Sequence, residues 1–249
     1  MAKEQHTIFG INGCAAILES RKYKITDILI QSGSPAERDG KITHALGYHG
    51  GHIKFLPASQ FKSQFGKWRT QGIIVRFMGK IETDLPSFTD QSGNIGLLIL
   101  DRIEDPQNLG QIIRTAECAG IDGILIPEHG NVQATNTVLQ VSQGAFIHMP
   151  LYHCGNLHQE LRNLKSHGFW IVGMENSIKA KYWHELDYQR KLVIVMGSEG
   201  KGIRPIIRKT CDDLLTIPMQ GTLNSLNVSA AVSAVLFERQ RQVLQGTTN

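Results

Sequence analysis

The stretch KLVIVMGSEGKG (residues 191–202) joins an uninterrupted apolar run to a glycine-rich turn. A run without polar alternation is typical of a strand that is buried on both faces of a parallel sheet. Similar runs recur along the chain, each separated from the next by a helix-like segment: GLLIL (96–100), GILIP (123–127), FWIVG (169–173) and DLLTIPM (213–219). This alternation predicts an α/β fold, with a parallel sheet and helices on its faces.

The first third of the chain has a different pattern and a different charge. Apolar runs at 27–31, 52–57 and 72–77 accompany a helix-like segment at 11–20, which predicts a small α/β sandwich. Through Lys80 there are 12 Lys and Arg residues against 5 Asp and Glu, whereas the remainder has 14 against 17. A part with a net charge of +7 joined to one of −3 predicts that the first part binds a polyanion. A solvated basic surface without a partner is the alternative.

A break in the pattern predicts where the domains meet. The segment GKIETDLPSFTDQSG (79–93) replaces periodic apolar residues with Gly, Pro, Ser, Thr and Asp. We therefore predict a first domain over residues 1–80, a linker over 81–93 and a second domain over 94–249.

Composition also narrows the class of protein. The apolar runs are far shorter than the roughly 20 residues that span a bilayer, and the N-terminus has no signal-peptide pattern. A cytoplasmic protein without a membrane partner is expected. The four cysteines form no C-x-x-C pair, and His44, His49 and His52 have no carboxylate or Cys nearby in the sequence, so no metal is predicted.

Three polar stretches follow strands of the predicted sheet, at the edge where such sheets bind ligands. In DPQNLGQIIRTAECAG (105–120) the apolar residues fall on one helical face, and Asn108, Gln111, Arg114 and Thr115 share the opposite arc. An amphipathic surface helix explains this pattern, but an Arg and an Asn at this edge also suit phosphate or ribose.

The second polar stretch, MGSEGKG (196–202), has three glycines that allow tight turns and the close approach of a ligand. It matches neither the P-loop nor the dinucleotide-binding glycine pattern. Glu199, between two glycines, has no apolar role there.

The third polar stretch, IPMQGTLNSLNVSAA (217–231), places Asn224, Ser225 and Asn227 before a helix predicted over 229–244. Ser and Asn commonly cap helices, but a cap needs one residue. In the predicted helix, Ala231, Val232, Val235 and Leu236 form an apolar stripe that suits a core or a dimer contact.

Together these stretches carry a family resemblance. N-L-G-x-x-x-R-T-A (108–116), V-M-G-S-E-G-K-G (195–202) and I-P-M-x-G-x-x-x-S-L-N-V-S (217–229) resemble the three ordered motifs of the SpoU branch of the SPOUT RNA methyltransferases. Enzymes of this branch methylate ribose 2′-hydroxyls with S-adenosylmethionine. FGINGCAAIL (9–18) and TQGIIV (70–75) resemble the L30e-like RNA-binding domain of the bacterial enzymes that methylate a guanosine in 23S ribosomal RNA.

The resemblance implies more than the residue patterns do. It implies a C-terminal trefoil knot in the second domain, with a homodimer formed through the knotted domain and its last helix. The basic first domain is then expected to hold large-subunit ribosomal RNA through phosphate contacts, for which the candidates are Arg21, Lys22, Lys24, Lys67 and Arg69.

The resemblance also implies roles for individual residues. Arg114 is the candidate for handling the proton of the 2′-hydroxyl, and the residues expected to orient it, the ribose and the phosphate are Asn108, Glu199, Ser225 and Asn227. Because arginine is a very weak base, electrostatic stabilisation of the forming alkoxide, or help from a substrate phosphate, stays open beside a true base. The residues expected to hold the cofactor are Gly173, Met196, Gly197, Ile217, Met219 and Leu226.

Two other functions stay open at this point. One is ribose methylation of transfer RNA, which the basic first domain disfavours. The other is a non-catalytic ribosomal-RNA-binding assembly factor on a methyltransferase fold, which the presence of all five candidate catalytic residues disfavours.

Overall fold

The structure is a computed structural model that describes residues 4–88, 93–177 and 180–246. Residues 89–92 of the predicted linker lie outside the described residues. The strands, in chain order, are β1 (Gln5–Phe9), β2 (Lys24–Gln31), β3 (Ile53–Leu56), β4 (Ile73–Met78), β5 (Glu82–Thr83), β6 (Gly96–Asp101), β7 (Gly123–Pro127), β8 (Leu151–Cys154), β9 (Trp170–Met174), β10 (Lys181–Tyr182), β11 (Leu192–Gly197) and β12 (Asp213–Thr216). The helices are α1 (Ile11–Ser20), α2 (Pro35–Arg38), α3 (Gly40–Leu46), α4 (Ala58–Phe65), α5 (Pro106–Cys118), α6 (Asn136–Val141), α7 (Leu157–Ser166), α8 (Pro205–Arg208) and α9 (Val228–Gly246).

Contacts divide the chain into two compact units. The first contains the chain through Ile81 together with 134–148, and the second contains 82–133 together with the chain from Met149 onward. The segment 134–148 lies between β7 and β8 in sequence, so the chain passes between the units three times. The functional division near residues 80 and 94 stays a prediction.

The first unit is built on a mixed sheet of order β1-β4-β2-β3 within the described residues. The segment 134–148 belongs to this unit because its polar side chains satisfy the free edge of β1. Gln140 accepts from the backbone N of Phe9 at 2.9 Å and donates to its carbonyl at 2.7 Å, and Asn136 accepts from the backbone N of Thr7 at 3.0 Å. An edge strand closed in this way is protected from pairing with another chain.

The second unit confirms the predicted parallel sheet. Its order within the described residues is β10-β12-β9-β11-β6-β7-β8-β5, and neighbouring strands run parallel. The central strands β6 and β7 are buried along their whole length, as their unbroken apolar sequences predict.

The helices of the second unit pack against one another and against the sheet. Asp105 caps α5 by accepting from the backbone N of Gln107 at 2.9 Å, and Pro106 occupies the first helical position, which suits its missing N–H. Helix α5 packs against α9. Leu161 of α7 and Ile207 of α8 pack in one buried cluster with Leu97 and Ile99 of β6.

Within the described ranges, no helix has the length and apolar character needed to cross a membrane.

Candidate active site

A cavity of about 410 Å³ opens at the carboxyl ends of β9, β11 and β12. Ligands of parallel sheets bind at this edge, and the volume falls within the range of small-molecule sites. Its walls come from four segments of the second unit: 174–176, 196–202, 215–219 and 224–231.

The loop after β11 is folded back on itself at one wall of this cavity. Gly202 donates from its backbone N to the Ser198 carbonyl at 2.9 Å, which closes a tight turn. A Cβ on Gly197 would collide with the backbone of Gly202 and Ile203, so only glycine fits there. Gly200 and Gly202 have positive φ values of 83° and 60°, so the turn itself explains all three glycines of MGSEGKG.

One polar atom in this wall has no partner of its own in the described part of the chain. Ser198 Oγ is buried and has no hydrogen-bond partner among the described residues. A buried hydroxyl without a partner costs free energy unless another group satisfies it. Together with the apolar Met196, Ile217 and Met219, this orphaned hydroxyl makes a cavity that fits an amphipathic ligand such as S-adenosylmethionine.

Most of the predicted cofactor residues line this cavity, namely Met196, Gly197, Ile217, Met219 and Leu226. Gly173 does not. It lies within β9, where a Cβ would come within 2.9 Å of Ile203 Cδ1 and 3.0 Å of Cys211 Sγ. The structure therefore gives Gly173 a packing role beneath the cavity.

The first and third polar stretches meet through a pair of asparagines. Asn227 Nδ2 donates to Asn108 Oδ1 at 3.0 Å, across 119 positions of sequence. Asn227 Oδ1 accepts from the backbone N of Ser229 at 2.9 Å, which is the bond of a helix cap at the start of α9. The same side chain thus caps α9 and binds the side chain of Asn108 on α5.

The other two polar residues of this stretch do different things. Ser225 is exposed and lines the cavity. Asn224 accepts through its carbonyl from Asn176 Nδ2, a bond that ties the loop to the end of β9. Capping therefore explains Asn227 in part and leaves Asn224 and Ser225 to the cavity.

A polar seam continues the contact between α5 and α9. Ser229 Oγ lies 2.6 Å from Asn227 Oδ1 and 2.9 Å from Gln111 Oε1. One turn further along, Thr115 Oγ1 lies 3.3 Å from Ser233 Oγ. Sequence reasoning placed Gln111 and Thr115 on the polar arc of α5 but did not identify Ser229 or Ser233 as their partners.

The two charged catalytic candidates are exposed. Glu199 lies on the loop that lines the cavity. Arg114 lies on α5 outside the cavity lining, and its guanidinium has no hydrogen bond or ion pair with a described residue. The structure thus brings Asn108 and Asn227 together and places Glu199 and Ser225 at the cavity, while Arg114 stays free to meet a ligand or another chain.

A buried carboxylate on the neighbouring strand anchors the loop after β11. Asp101, at the end of β6, is 0% exposed and accepts from Arg204 twice, from its backbone N and from its Nε, each at 2.7 Å. Arg102 has a left-handed φ of 68° and donates through Nη2 to the carbonyls of Lys201 at 3.3 Å and Gly202 at 2.9 Å. We name Asp101, Arg102 and Arg204 the loop clamp.

The loop clamp was missed in the sequence, as were Glu175, Asn176 and Thr216 in the cavity lining. A signal for the clamp exists in hindsight, because an acidic residue directly follows the apolar run GLLIL. Strand periodicity alone indicates only that the strand ends at that residue, and not that its carboxylate binds another segment.

Two thiols of the second unit, those of Cys154 and Cys211, are poorly suited to act as nucleophiles. Burial raises the pKa of Cys154 to about 11 and that of Cys211 to about 12. Both groups therefore stay protonated at neutral pH, and the thiolate is the reactive form. A covalent enzyme intermediate on either sulfur is not expected.

Comparison with known proteins places this site in a family. The model of the SpoU rRNA Methylase family matches residues 96–237. The chain is 35% identical to the 23S rRNA (guanosine-2′-O-)-methyltransferase RlmB of Shewanella oneidensis, over 96% of this chain and 98% of that one. It is 36% identical to the protein of the same name from Escherichia coli K12, over 94% of this chain and 98% of that one.

Solved structures share the fold. The SpoU methyltransferase AviRb of Streptomyces viridochromogenes, in complex with AdoMet, is 17% identical with a TM-score of 0.81, over 97% of this chain and 92% of that one. The A. aeolicus TrmH/SpoU tRNA modifying enzyme is 27% identical with a TM-score of 0.56, over 64% of this chain and 81% of that one. The resemblance seen in the three motifs is confirmed, and the chain belongs to the SpoU rRNA methylase family.

Proposed function

We propose that this protein transfers a methyl group from S-adenosylmethionine to the ribose 2′-hydroxyl of a guanosine in 23S ribosomal RNA. The observation that carries the proposal is similarity over nearly the whole chain, first unit included, to relatives named for that reaction. The tRNA-modifying neighbour from A. aeolicus covers only 64% of the chain, which favours the ribosomal substrate. A ribosomal RNA substrate also implies that the enzyme works in the cytoplasm.

The cavity residues would hold the cofactor. Ser198 Oγ has no internal partner and suits a polar atom of the ligand, while Ile217, Met219 and Leu226 suit the adenine ring. Bound S-adenosylmethionine supplies an electrophilic methyl group. The chain itself then has to align the ribose oxygen and assist the loss of its proton, and alignment alone contributes about 7–11 kcal/mol in favourable cases.

Proposed roles follow from where the side chains lie. Arg114 is exposed and unpaired among described residues, so its guanidinium is available to stabilise the 2′-oxygen as it loses its proton, or to act with a substrate phosphate. Asn108 and Asn227, joined by their mutual hydrogen bond, are assigned to orienting the reacting groups. Glu199 and Ser225, exposed at the cavity, orient the ribose and the phosphate.

The proposal extends to the finer fold and assembly. The SpoU resemblance supports an L30e-like first domain over residues 1–80, a linker over 81–93, and a catalytic domain over 94–249 with a C-terminal trefoil knot. A homodimer through the catalytic domain is supported by apolar side chains that stay exposed there outside the cavity: Leu223, Phe237 and Leu244. The stripe predicted for a core or a dimer contact is instead mostly internal, because Val232, Val235 and Leu236 are buried within the chain.

The first unit is proposed to hold the RNA. Two of its candidate cations are already engaged internally, since Arg21 lies over the Tyr48 ring at 4.1 Å and Lys22 Nζ donates to the Ile147 carbonyl at 2.6 Å. Lys67 and Arg69 are exposed and are therefore better placed for phosphate contacts.

Methyl transfer from labelled S-adenosylmethionine to unmodified 23S RNA and to transfer RNA tests the proposal, with the product mapped as a ribose methylation. We expect label at one guanosine of 23S RNA, and no label when that nucleotide is a 2′-deoxyguanosine. Label on transfer RNA alone would establish the alternative substrate. No label on either RNA, with cofactor binding intact, would leave a non-catalytic assembly factor.

A further inference from the structure

The most basic part of the first unit also exposes three aromatic side chains. Between Asp39 and Glu82 the chain contains seven Lys and Arg residues and no Asp or Glu. The large apolar side chains that stay exposed among the described residues of the first unit are Tyr48, Phe55 and Trp68, all aromatic and all within this acid-free stretch. Single exposed apolar residues need no explanation, but aromatic rings among clustered cations suit nucleic acid.

Trp68 is held in place by two stacked aromatic neighbours. Its indole stacks on Phe9 with ring centroids 5.2 Å apart and planes 10° apart, and on Phe65 at 6.0 Å and 25°. These contacts hold the plane of the ring at the margin of a buried cluster that contains Phe61 and Phe65. The ring nevertheless stays 46% exposed.

The backbone around Trp68 is fixed as well. Its N donates to the Phe65 carbonyl at 2.9 Å, and its carbonyl accepts from Thr70 N at 3.0 Å. An exposed ring with a fixed orientation loses little conformational entropy when a flat partner stacks on it.

The neighbours of Trp68 supply the matching charge. Lys67 and Arg69 are both exposed, and neither makes an ion pair or hydrogen bond with a described residue. Aromatic platforms flanked by cations bind single-stranded nucleic acid, because a base stacks on the ring while the cations follow the backbone. A duplex keeps its bases stacked inside and cannot use such a ring.

We propose that Trp68 is a stacking platform for an unpaired base of the RNA substrate, with Lys67 and Arg69 holding the adjacent phosphates. The inference rests on the proposed function and adds the form of RNA that the first unit selects. The Trp68 indole carries no charge. Its removal must therefore weaken RNA binding without changing the number of RNA phosphates that the protein neutralises.

Binding of a 12-nucleotide oligoadenylate and of a 12-base-pair RNA duplex, measured by fluorescence anisotropy over a series of salt concentrations, tests this platform. Trp68→Ala is expected to raise the Kd for the single strand by about 5-fold to 100-fold, from the usual stacking contribution per base. The slope of log K against log salt should stay at the wild-type value. Lys67→Ala and Arg69→Ala should each reduce that slope by about 0.7.

Two further variants guard against misfolding. Trp68→Leu keeps apolar cover over Phe9 and Phe65 but removes the aromatic face. It should weaken binding of the single strand as Trp68→Ala does. Trp170→Ala is the matched control, because Trp170 is 38% exposed in the second unit with Arg190 near its ring, at 5.7 Å. It should bind both RNAs as the wild type does.

An unchanged Kd for oligoadenylate in both Trp68 variants would overturn the platform. So would an equal loss of affinity for the duplex in the Trp68 variants, or an equal loss of affinity for oligoadenylate in Trp170→Ala. A wild-type protein that binds the duplex more tightly than oligoadenylate would overturn it as well. These outcomes are separate from the proposed function, which depends on methyl transfer to 23S RNA. If the wild type methylates 23S RNA but the Trp68 substitutions leave RNA binding unchanged, only the stacking platform is refuted.

Discussion

Replacing Asp101 with asparagine tests how the cavity wall is held. The carboxylate is fully buried, and each of its oxygens accepts one bond from Arg204 at 2.7 Å. An amide has one oxygen and one NH₂ group, so one of the two Arg204 donors would face another donor. The change keeps the shape of the side chain and removes its charge and one bond.

The expected loss can be worked from these contacts. A hydrogen bond to a charged group contributes about 1.5–3 kcal/mol. The Arg204 side chain is 36% exposed, so water replaces part of what it loses. We expect the free energy of unfolding to fall by about 1.5–3 kcal/mol at most, which lowers Tm by roughly 3–12 °C for a chain of this size.

The substitution should also weaken binding of the cofactor. Arg204 ends the loop whose residues 198–202 line the cavity, so loosening it makes the bound conformation of that wall harder to reach. If half of the lost free energy is coupled to binding, Kd for S-adenosylmethionine rises about 3- to 12-fold, since 1.4 kcal/mol is a factor of ten.

Urea unfolding and calorimetric titration with S-adenosylmethionine measure the two effects. Asp187→Asn is the control, because Asp187 accepts from Arg190 at 2.9 Å but the pair is exposed, and exposed pairs contribute about 0–1 kcal/mol. If Asp101→Asn unfolds at the wild-type urea concentration and binds the cofactor as tightly as the wild type, the loop clamp does not hold the cavity wall.

The other predictions concern catalysis and the division into units. Arg114→Ala should lower single-turnover methyl transfer about 10²- to 10⁴-fold while cofactor affinity in calorimetry stays unchanged; a loss below tenfold would remove Arg114 from the chemistry. Ser225→Ala should slow transfer without changing urea stability, whereas Asn227→Ala should slow transfer and also cost about 0.5–2 kcal/mol from the lost cap; normal turnover in both variants would return this loop to a purely structural role. Deleting residues 1–81 should give an aggregating protein in size-exclusion chromatography, because the buried apolar residues of 134–148 lose their partners; a monodisperse product with wild-type cofactor affinity would contradict this.

Much of the sheet could be predicted because buried parallel strands consist of unbroken apolar residues. β6, β7, β9, β11 and β12 all overlap such runs. β8 was missed since its sequence, LYHC, is short and includes an exposed His153. β5 and β10 have two residues each, too few for any periodicity.

The division into units shows a limit of composition. Charge and turn residues indicate a boundary near residue 80, whereas the first unit defined by contacts contains both the chain through Ile81 and the segment 134–148. The return of 134–148 to that unit depends on single side chains, chiefly Gln140 against Phe9. Such long-range hydrogen bonds leave no periodic trace in the sequence.

The site was predictable only where a motif marked it. Asn108 and Asn227 were identified through the family resemblance, and the structure adds the bond between them. The Asp101 to Arg204 contact spans 103 positions and belongs to none of the three motifs as quoted. Helical and strand periodicity describe which face of an element is apolar, and cannot report which polar residue of another segment meets it.

The stretch 217–231 raised the question of whether its polar residues cap a helix or serve the site, and Asn227 shows why the two readings are compatible. An amide has an acceptor and a donor on one side chain. Its oxygen caps α9 through Ser229 N, and its nitrogen donates to Asn108 Oδ1. An aspartate could make the cap but has no proton for Asn108, and an alanine could make neither bond. The cap therefore fixes the orientation that the amide needs in order to hold Asn108, so helix stability and site geometry depend on the same residue.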